Sequence, residues 1–336
     1  MQMSNKCIFW LLIIFLSVTS CHKNDRYGIK SAQKRDVEIH RFDKAVIGID
    51  TAKIEAEVRD LYKNDPDFMS IYISQIIGEN TSDTAKVKSL LLNFLKDTSF
   101  VAVNKKVLDV FGDVSSIEKK VSVAFAGINH IFPQIELPEI YFFVSGFNSA
   151  FIQTDKIIGI GTDLYLGSDY PEYSEITYKY LTQNMRPESV PIDIVSALLY
   201  KSFPMNTKDE RLLDHLIYHG KILYMLSVLL PEEKPEYIIG YSKENLEWCS
   251  KFEKEIWSAM IEQKHLFSTD MILINKYIND APFTATISQE SPGRLATWIG
   301  WQIVESYMNT NKEIGLSQLM DESNAQKILE NSGYQP

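Results

Sequence analysis

Strand-forming sequence is concentrated in one short stretch, Glu139 to Gly161, and this confines the chain to a mainly helical fold. Ile140-Tyr141-Phe142-Phe143-Val144 is strongly β-prone, and Gly146-Phe147-Asn148-Ser149 supplies a turn. Phe151-Ile152-Gln153-Thr154 follows, and a turn at Asp155-Lys156 leads into Ile157-Ile158-Gly159-Ile160. The pattern predicts a small antiparallel β-meander, too little sheet for a doubly wound fold. One further strand is predicted at Val37–Phe42, where apolar and polar residues alternate and His40 falls on the exposed phase.

Elsewhere the apolar residues recur at helical spacing. Residues 50–78 carry the stripe Ile54, Val58, Leu61, Tyr62, broken by Asp65-Pro66 before Phe68, Ile71, Tyr72, Gln75 and Ile76. Helices are predicted over 85–96, 99–111 and 117–132. Pro191 with Ile194, Val195, Leu198 and Leu199 opens another. Thr207-Lys208-Asp209-Glu210 matches a capping box and opens a long helix ending near Leu230-Pro231. One helix is predicted from Ser242 to about Gln263. Ser291-Pro292 reads as an N-cap and first-turn proline, which would put Gly293 and Gly300 two turns apart on one helix. With 45% hydrophobic and 12% aromatic residues the chain suits a folded globule. The fold class read from these features is α+β, a mainly helical single domain with a small antiparallel β-meander.

The first 21 residues predict an address. Lys6 is followed by the apolar run Ile8 to Val18, shorter than the roughly 20 residues that cross a bilayer. Val18-Thr19-Ser20-Cys21 reads as a lipobox, with cleavage before Cys21 and acylation of its thiol. Residues 1–20 are then a lipoprotein signal peptide, 21–35 a flexible tether, and 36–336 the globular domain. His22, not aspartate, follows Cys21, which by the general bacterial rule favours outer-membrane sorting. A periplasm-facing position is expected, because no dense acidic run follows Cys21.

The net charge is −10, one unit more negative once Lys6 is removed. Such a balance argues against nucleic acid or anionic headgroups as partners of the folded part, and leaves attachment to the lipid alone. Cys7 leaves with the signal and Cys21 is acylated, so Cys249 has no partner for a disulfide. Its place in an amphipathic helix predicts a buried core thiol.

The chemical candidates are few. His215 and His219 stand at i and i+4 on the long helix and could share a metal. A zincin would need glutamate directly after the first histidine, where this chain has Leu216. A third ligand could be Glu188, Asp193 or Asp214, none of them forced by spacing. G-x-S-x-G, P-loop and Cys-x-x-Cys sequences are missing, and Gly159-Ile160-Gly161 lacks the third glycine of a dinucleotide site. Asp163, Asp169 and Glu172 are read as a solvated loop. No catalytic residue and no cofactor is assigned.

Several phrases, in order, resemble the gliding-motility lipoprotein GldB family of Bacteroidota. They are Val37-Glu38-Ile39-His40-Arg41-Phe42-Asp43, Asp65-Pro66-Asp67-Phe68, and Ile160-Gly161-Thr162-Asp163-Leu164-Tyr165-Leu166-Gly167. Gly220-Lys221, Pro292-Gly293-Arg294, the run Trp298 to Val304, and the tail Ile328 to Pro336 complete the match. The resemblance implies a lipid-anchored envelope protein connected with the gliding apparatus, acting through contacts with other envelope proteins. It also implies a remote kinship with zincin-like peptidases. In that kinship Asp193 to Phe203 stands where an HExxH helix belongs, without a histidine, and His219-Gly220 stands at a downstream ligand position. The metal site would then be dismantled and the fold retained. The alternatives are a lipid-anchored zinc hydrolase using His215 and His219, and a carbohydrate- or ligand-binding lipoprotein. A protein-binding role predicts an exposed apolar patch, with 141–151 and 298–307 as candidate segments that could equally be core.

Overall fold

A computed structural model describes residues 25–79, 81, 83–205 and 210–336, without the side chains of 98 and 99. The lipobox, Cys21 and most of the capping box read at Thr207–Glu210 lie outside the described residues. After β1 (Ile39–His40) the chain forms α1 (Phe42–Ile47), α2 (Ile54–Asn64), α3 (Pro66–Gln75), α4 (Thr84–Lys96), α5 (Thr98–Val110) and α6 (Ser115–Ile131). Strands β2 (Glu139–Phe143), β3 (Phe151–Gln153) and β4 (Ile157–Gly161) follow. Short helices α7 (Tyr173–Ile176) and α8 (Lys179–Thr182) lead to α9 (Val190–Ser202) and α10 (Leu212–Leu229). The remainder is α11 (Pro235–Ile239), α12 (Lys243–Lys251), α13 (Glu253–Glu262), α14 (Met271–Ile278), α15 (Leu295–Thr310), α16 (Leu316–Asp321) and α17 (Ala325–Ser332). The mainly helical α+β class is as the sequence predicts.

Local chemistry explains most boundaries. Asp83, Ser242, Asp270 and Asn324 each accept a main-chain N–H at the start of α4, α12, α14 and α17. Pro66 occupies the first turn of α3, where its missing N–H costs nothing. The single helix predicted over 242–263 is two, α12 and α13, divided at Phe252 with φ −108° and ψ 19°.

The sheet corrects the predicted antiparallel meander. Its order is β1-β2-β4-β3, with β2 parallel to both β1 and β4 and only β3 antiparallel to β4. The reason is burial. β4 is buried at every residue and β2 from Ile140 to Phe143, whereas β3 has an exposed residue at Gln153. Strands covered on both faces occupy the centre in parallel pairing, and the half-covered one takes the edge. The crossover loop is held by Asp163, which is fully buried and accepts from Ser145 N (3.0 Å), Ser145 Oγ (3.1 Å) and Phe147 N (2.6 Å). Those bonds fix the left-handed residues Gly146 (φ 71°) and Phe147 (φ 61°). Asp163 is therefore no part of a solvated loop. His40 does lie exposed, its ring stacked 4.4 Å from Tyr141, which in turn stacks 4.2 Å from Phe68.

The helical half is organised around α10 and α15. They cross backbone to backbone at Gly220 and Gly300. A Cβ on Gly300 would fall 1.8 Å from the carbonyl oxygen of Leu216, and one on Gly220 would fall 2.3 Å from the Gly300 carbonyl. Gly293 is not on this helix, which starts three residues later than predicted. Ser291 Oγ instead accepts from Thr284 N, and Thr284 Oγ1 accepts from Leu295 N. Arg294, at φ 61°, turns the chain between them.

Residues expected in the tether pack here too. Ile29 is 7% exposed and lies over Gly127 beside Leu229, and Tyr27 Oη is 2.8 Å from Tyr224 Oη. Cys249 is buried, and burial pushes its thiol pKa up. No helix among the described residues is long and apolar enough to cross a membrane.

Gly300→Ala tests the crossing. Helix propensity favours alanine by about 1 kcal/mol. Steric overlap with the backbone outweighs that, so urea unfolding should show a net loss of about 2 kcal/mol or more. Neutral or stabilising behaviour would refute the close approach.

Candidate functional site

The sequence-predicted histidines lie in a polar seam between α9, α10 and the start of α15. His215 and His219 face the same way on α10, with ring centroids 6.5 Å apart. His219 Nδ1 is 3.0 Å from Tyr200 Oη on α9. His215 is buried, and its Nε2 lies 3.3 Å from Glu210 Oε2 but off the direction of a hydrogen bond. About two turns earlier on α9 from Tyr200, Asp193 accepts a 2.8 Å hydrogen bond from Tyr165 Oη. Asp214 is engaged elsewhere, accepting from the main-chain N–H and guanidinium of Arg211. Among the described residues no group of three or more His, Cys, Asp or Glu could hold a metal ion. Glu188 and Asp214 are thus not brought into one ligand set with the histidines.

Helix α9 packs against α10. Where two metal-ligating histidines and a glutamate would be needed, it presents Asp193, Ile194 and Ala197. What remains is a set of hydrogen-bonded pairs. Burial, then the charges of Arg294 and His215, lowers the His219 pKa to about 4. Burial raises Asp193 to about 6 against the pull of Tyr165 and Arg294. Near neutral pH the seam therefore has a neutral imidazole and a charged carboxylate.

Arg294 divides this seam from a broad cleft of about 1330 Å³. Tyr170, Tyr178, Tyr180, Arg186 and Tyr241 line the cleft with it; His215, His219 and Asp193 do not. The Arg294 Nη1 donates to Ile239 O at 3.2 Å and lies 3.6 Å from Asp280. Arg186 sits with Cζ 3.9 Å over the Tyr237 ring, and its buried Nε and Nη2 have no acceptor among the described residues. This cleft is thus separate from the histidine pair. A second opening, beside α10 and α16, contains Lys221, which donates to Met320 O and Glu322 O. Burial lowers its pKa to about 8.

The aromatic segments proposed as docking candidates are core: Tyr141, Phe142, Phe143, Trp298, Trp301 and Tyr307 are all buried. The exposed apolar patch lies elsewhere, on α13, α14 and the turn between them. Ile261, Phe267, Met271 and Ile272 are 48%, 53%, 45% and 72% exposed. The signal was the unbroken run Met271-Ile272-Leu273-Ile274, which puts apolar side chains all round a helix. Only Ile274 is buried by the domain; Met271 and Ile272 are left outside.

The two perturbed groups make opposite contributions to pH dependence. His219 is protonated less in the folded than in the unfolded protein between pH of about 4 and 6.5, so its stability contribution is lost on acidification. Asp193 is protonated more in the folded protein between about 3.8 and 6, so its contribution grows as pH falls. His219→Gln should therefore flatten the fall in urea midpoint from pH 7 to about 4.5, and Asp193→Asn should steepen it, each by about 1–3 kcal/mol. Identical pH profiles for both variants and the parent would refute the assignment.

Comparison with known proteins gives one positive result. No curated protein and no solved structure matches the chain. The family model described as gliding motility protein GldB matches residues 23–336, all of the sheet and both polar openings included. The chain belongs to the GldB family of gliding motility proteins.

Proposed function

We propose that this protein is a non-catalytic, lipid-anchored envelope component that works by holding other envelope proteins of the motility machinery. The anchor is acylated Cys21, and the proposed location is the outer membrane, facing the periplasm. The observation that carries the protein-binding role is the patch of Ile261, Phe267, Met271 and Ile272. Four large apolar side chains, each about half exposed or more, lie on consecutive elements of the chain. Leaving such side chains in water forgoes about 1.5–3 kcal/mol apiece if a partner is available to bury them. The polar seam supports the same reading: its histidine is committed to Tyr200, and α9 lacks the side chains of a hydrolytic centre.

Phe267→Glu with Ile272→Glu is the test. In a gliding host, the double variant should accumulate and be acylated normally, yet fail to restore colony spreading to a strain lacking the protein. A photo-crosslinker at Ile272 should give discrete adducts in living cells, whereas one at Ser317 should not. Full restoration of spreading by the double variant would overturn the proposal.

The hydrolase alternative has a separate check. Purified without chelator or affinity tag, the protein should contain far less than one zinc per chain. Near-stoichiometric zinc that disappears in His215→Ala/His219→Ala would reverse the non-catalytic reading.

A further inference from the structure

Arg26 is the fifth residue after Cys21 and is fastened to the domain. Its guanidinium donates to Met308 O (2.7 Å), Asn311 O (3.2 Å), Lys312 O (3.0 Å) and Ile314 O (3.1 Å). Several of these carbonyls are left open at the C-terminal end of α15, where a cation is also favoured by the helix dipole. Tyr27 and Ile29 then fix the next turn of chain to Tyr224 and Leu229, at the C-terminal end of α10. The segment expected to swing freely is thus clasped from its fifth residue after the cysteine.

Covalent geometry turns this into a distance. Five residues at full extension reach at most about 18 Å. Helix α10, with 18 residues, is about 27 Å long. Its N-terminal end, where Leu212 N donates to Ser268 O beside the apolar patch, is farther from the clasp than the leash can reach.

Charge selects the face within that reach. Residues 22–36 contain five basic residues, Lys23, Arg26, Lys30, Lys34 and Arg35, against Asp25 and Asp36, in a chain of net charge −10. Lys30, Lys34 and Arg35 are exposed, as is Lys312, whose carbonyl accepts from Arg26 on the loop after α15. Asp25, though exposed, is engaged locally, its Oδ2 accepting from the main-chain N–H groups of Lys30 and Ser31. The expectation that an acidic chain avoids anionic headgroups averages over the whole surface. Fields from exposed charges decay within about 8–10 Å, so a headgroup layer meets the local strip, not the average.

We propose that the strip Arg26–Arg35, backed by the C-terminal ends of α10 and α15, is a docking face for a bilayer with anionic headgroups. The proposal rests on the acylation of Cys21 put forward above. Acyl chains and a basic segment are the two signals that together fix a protein on a membrane. The orientation places the patch at Phe267 and Ile272 on the side away from the lipid, open to a protein partner.

The experiment uses the full-length acylated protein in vesicles of phosphatidylcholine, alone or with one third phosphatidylglycerol. A fluorophore is placed at Gln33→Cys, and a reference at Thr269→Cys beside the patch; Cys249 is buried and does not compete. With phosphatidylglycerol, a headgroup spin label should quench Gln33→Cys about threefold more than Thr269→Cys. Lys30→Glu/Lys34→Glu/Arg35→Glu, or about 0.5 M salt, should bring that ratio towards one. The milder Lys→Gln and Arg→Gln triple variant should fall between. Equal quenching at both positions, in protein whose mass shows acylation, overturns the docking face. A ratio indifferent to lipid charge, salt and charge reversal overturns headgroup recognition. Protein whose mass shows an unmodified Cys21 overturns the lipoprotein reading itself, and is told apart from the other failures by that measurement alone.

Discussion

The contact on which the rest of the molecule depends is the crossing of α10 and α15 at Gly220 and Gly300. Two helices normally stand 8–10 Å apart because side chains fill the gap. Removing both side chains at the crossing lets the backbones touch, and the flanking residues then interlock over most of both helices. The pair runs in the same direction. At one end Arg294 acts electrostatically on His219, and at the other Tyr27 reaches Tyr224 while Arg26 caps the carbonyls after Met308. One rigid axis thus carries the polar seam at its start and the clasped leash at its finish.

That axis gives the acidic surface a polarity that a net charge conceals. Basic side chains gather where the chain leaves for Cys21, and exposed apolar ones gather where α10 begins. Under the proposed reading one face meets headgroups and the other meets protein, and the helix pair keeps the two about one α10 length apart.

What the sequence made legible follows from how local each feature is. Helical stripes, the break at Asp65-Pro66, the exposed phase of His40 and the buried Cys249 all depend on residues within a few positions of each other. Strand order did not, because it depends on Asp163 reaching back to Ser145 and Phe147 across the crossover. A carboxylate in a run of polar residues looks solvated until the chain that covers it is known. The start of α15 was misplaced for the same reason: Thr284, not Ser291, meets the first free N–H, and nothing near Ser291 announces it. At the site, the sequence found His215 and His219 and their missing glutamate, but not Tyr200 and Arg294, which define what those histidines can do. Arg26 was read as part of a polar tether because its acceptors are carbonyls nearly 300 positions away.

The seam also shows how buried polar groups are held between packed helices. A buried imidazole is tolerable only when neutral and hydrogen-bonded, and His219 meets both conditions through burial and Tyr200. Arg294 reinforces the neutral state, since a second cation beside it is disfavoured, while the same charge favours the ionised form of Asp193. Near pH 7 the result is one guanidinium and one carboxylate with a neutral ring nearby, a charge-balanced arrangement. In a metal site the imidazoles are held by the ion they share; here the tyrosine hydroxyls Tyr165 and Tyr200 hold the polar groups of α9 and α10 instead. Under the proposed reading, the two ends of the helix axis, and not its middle, are where this protein meets the rest of the envelope.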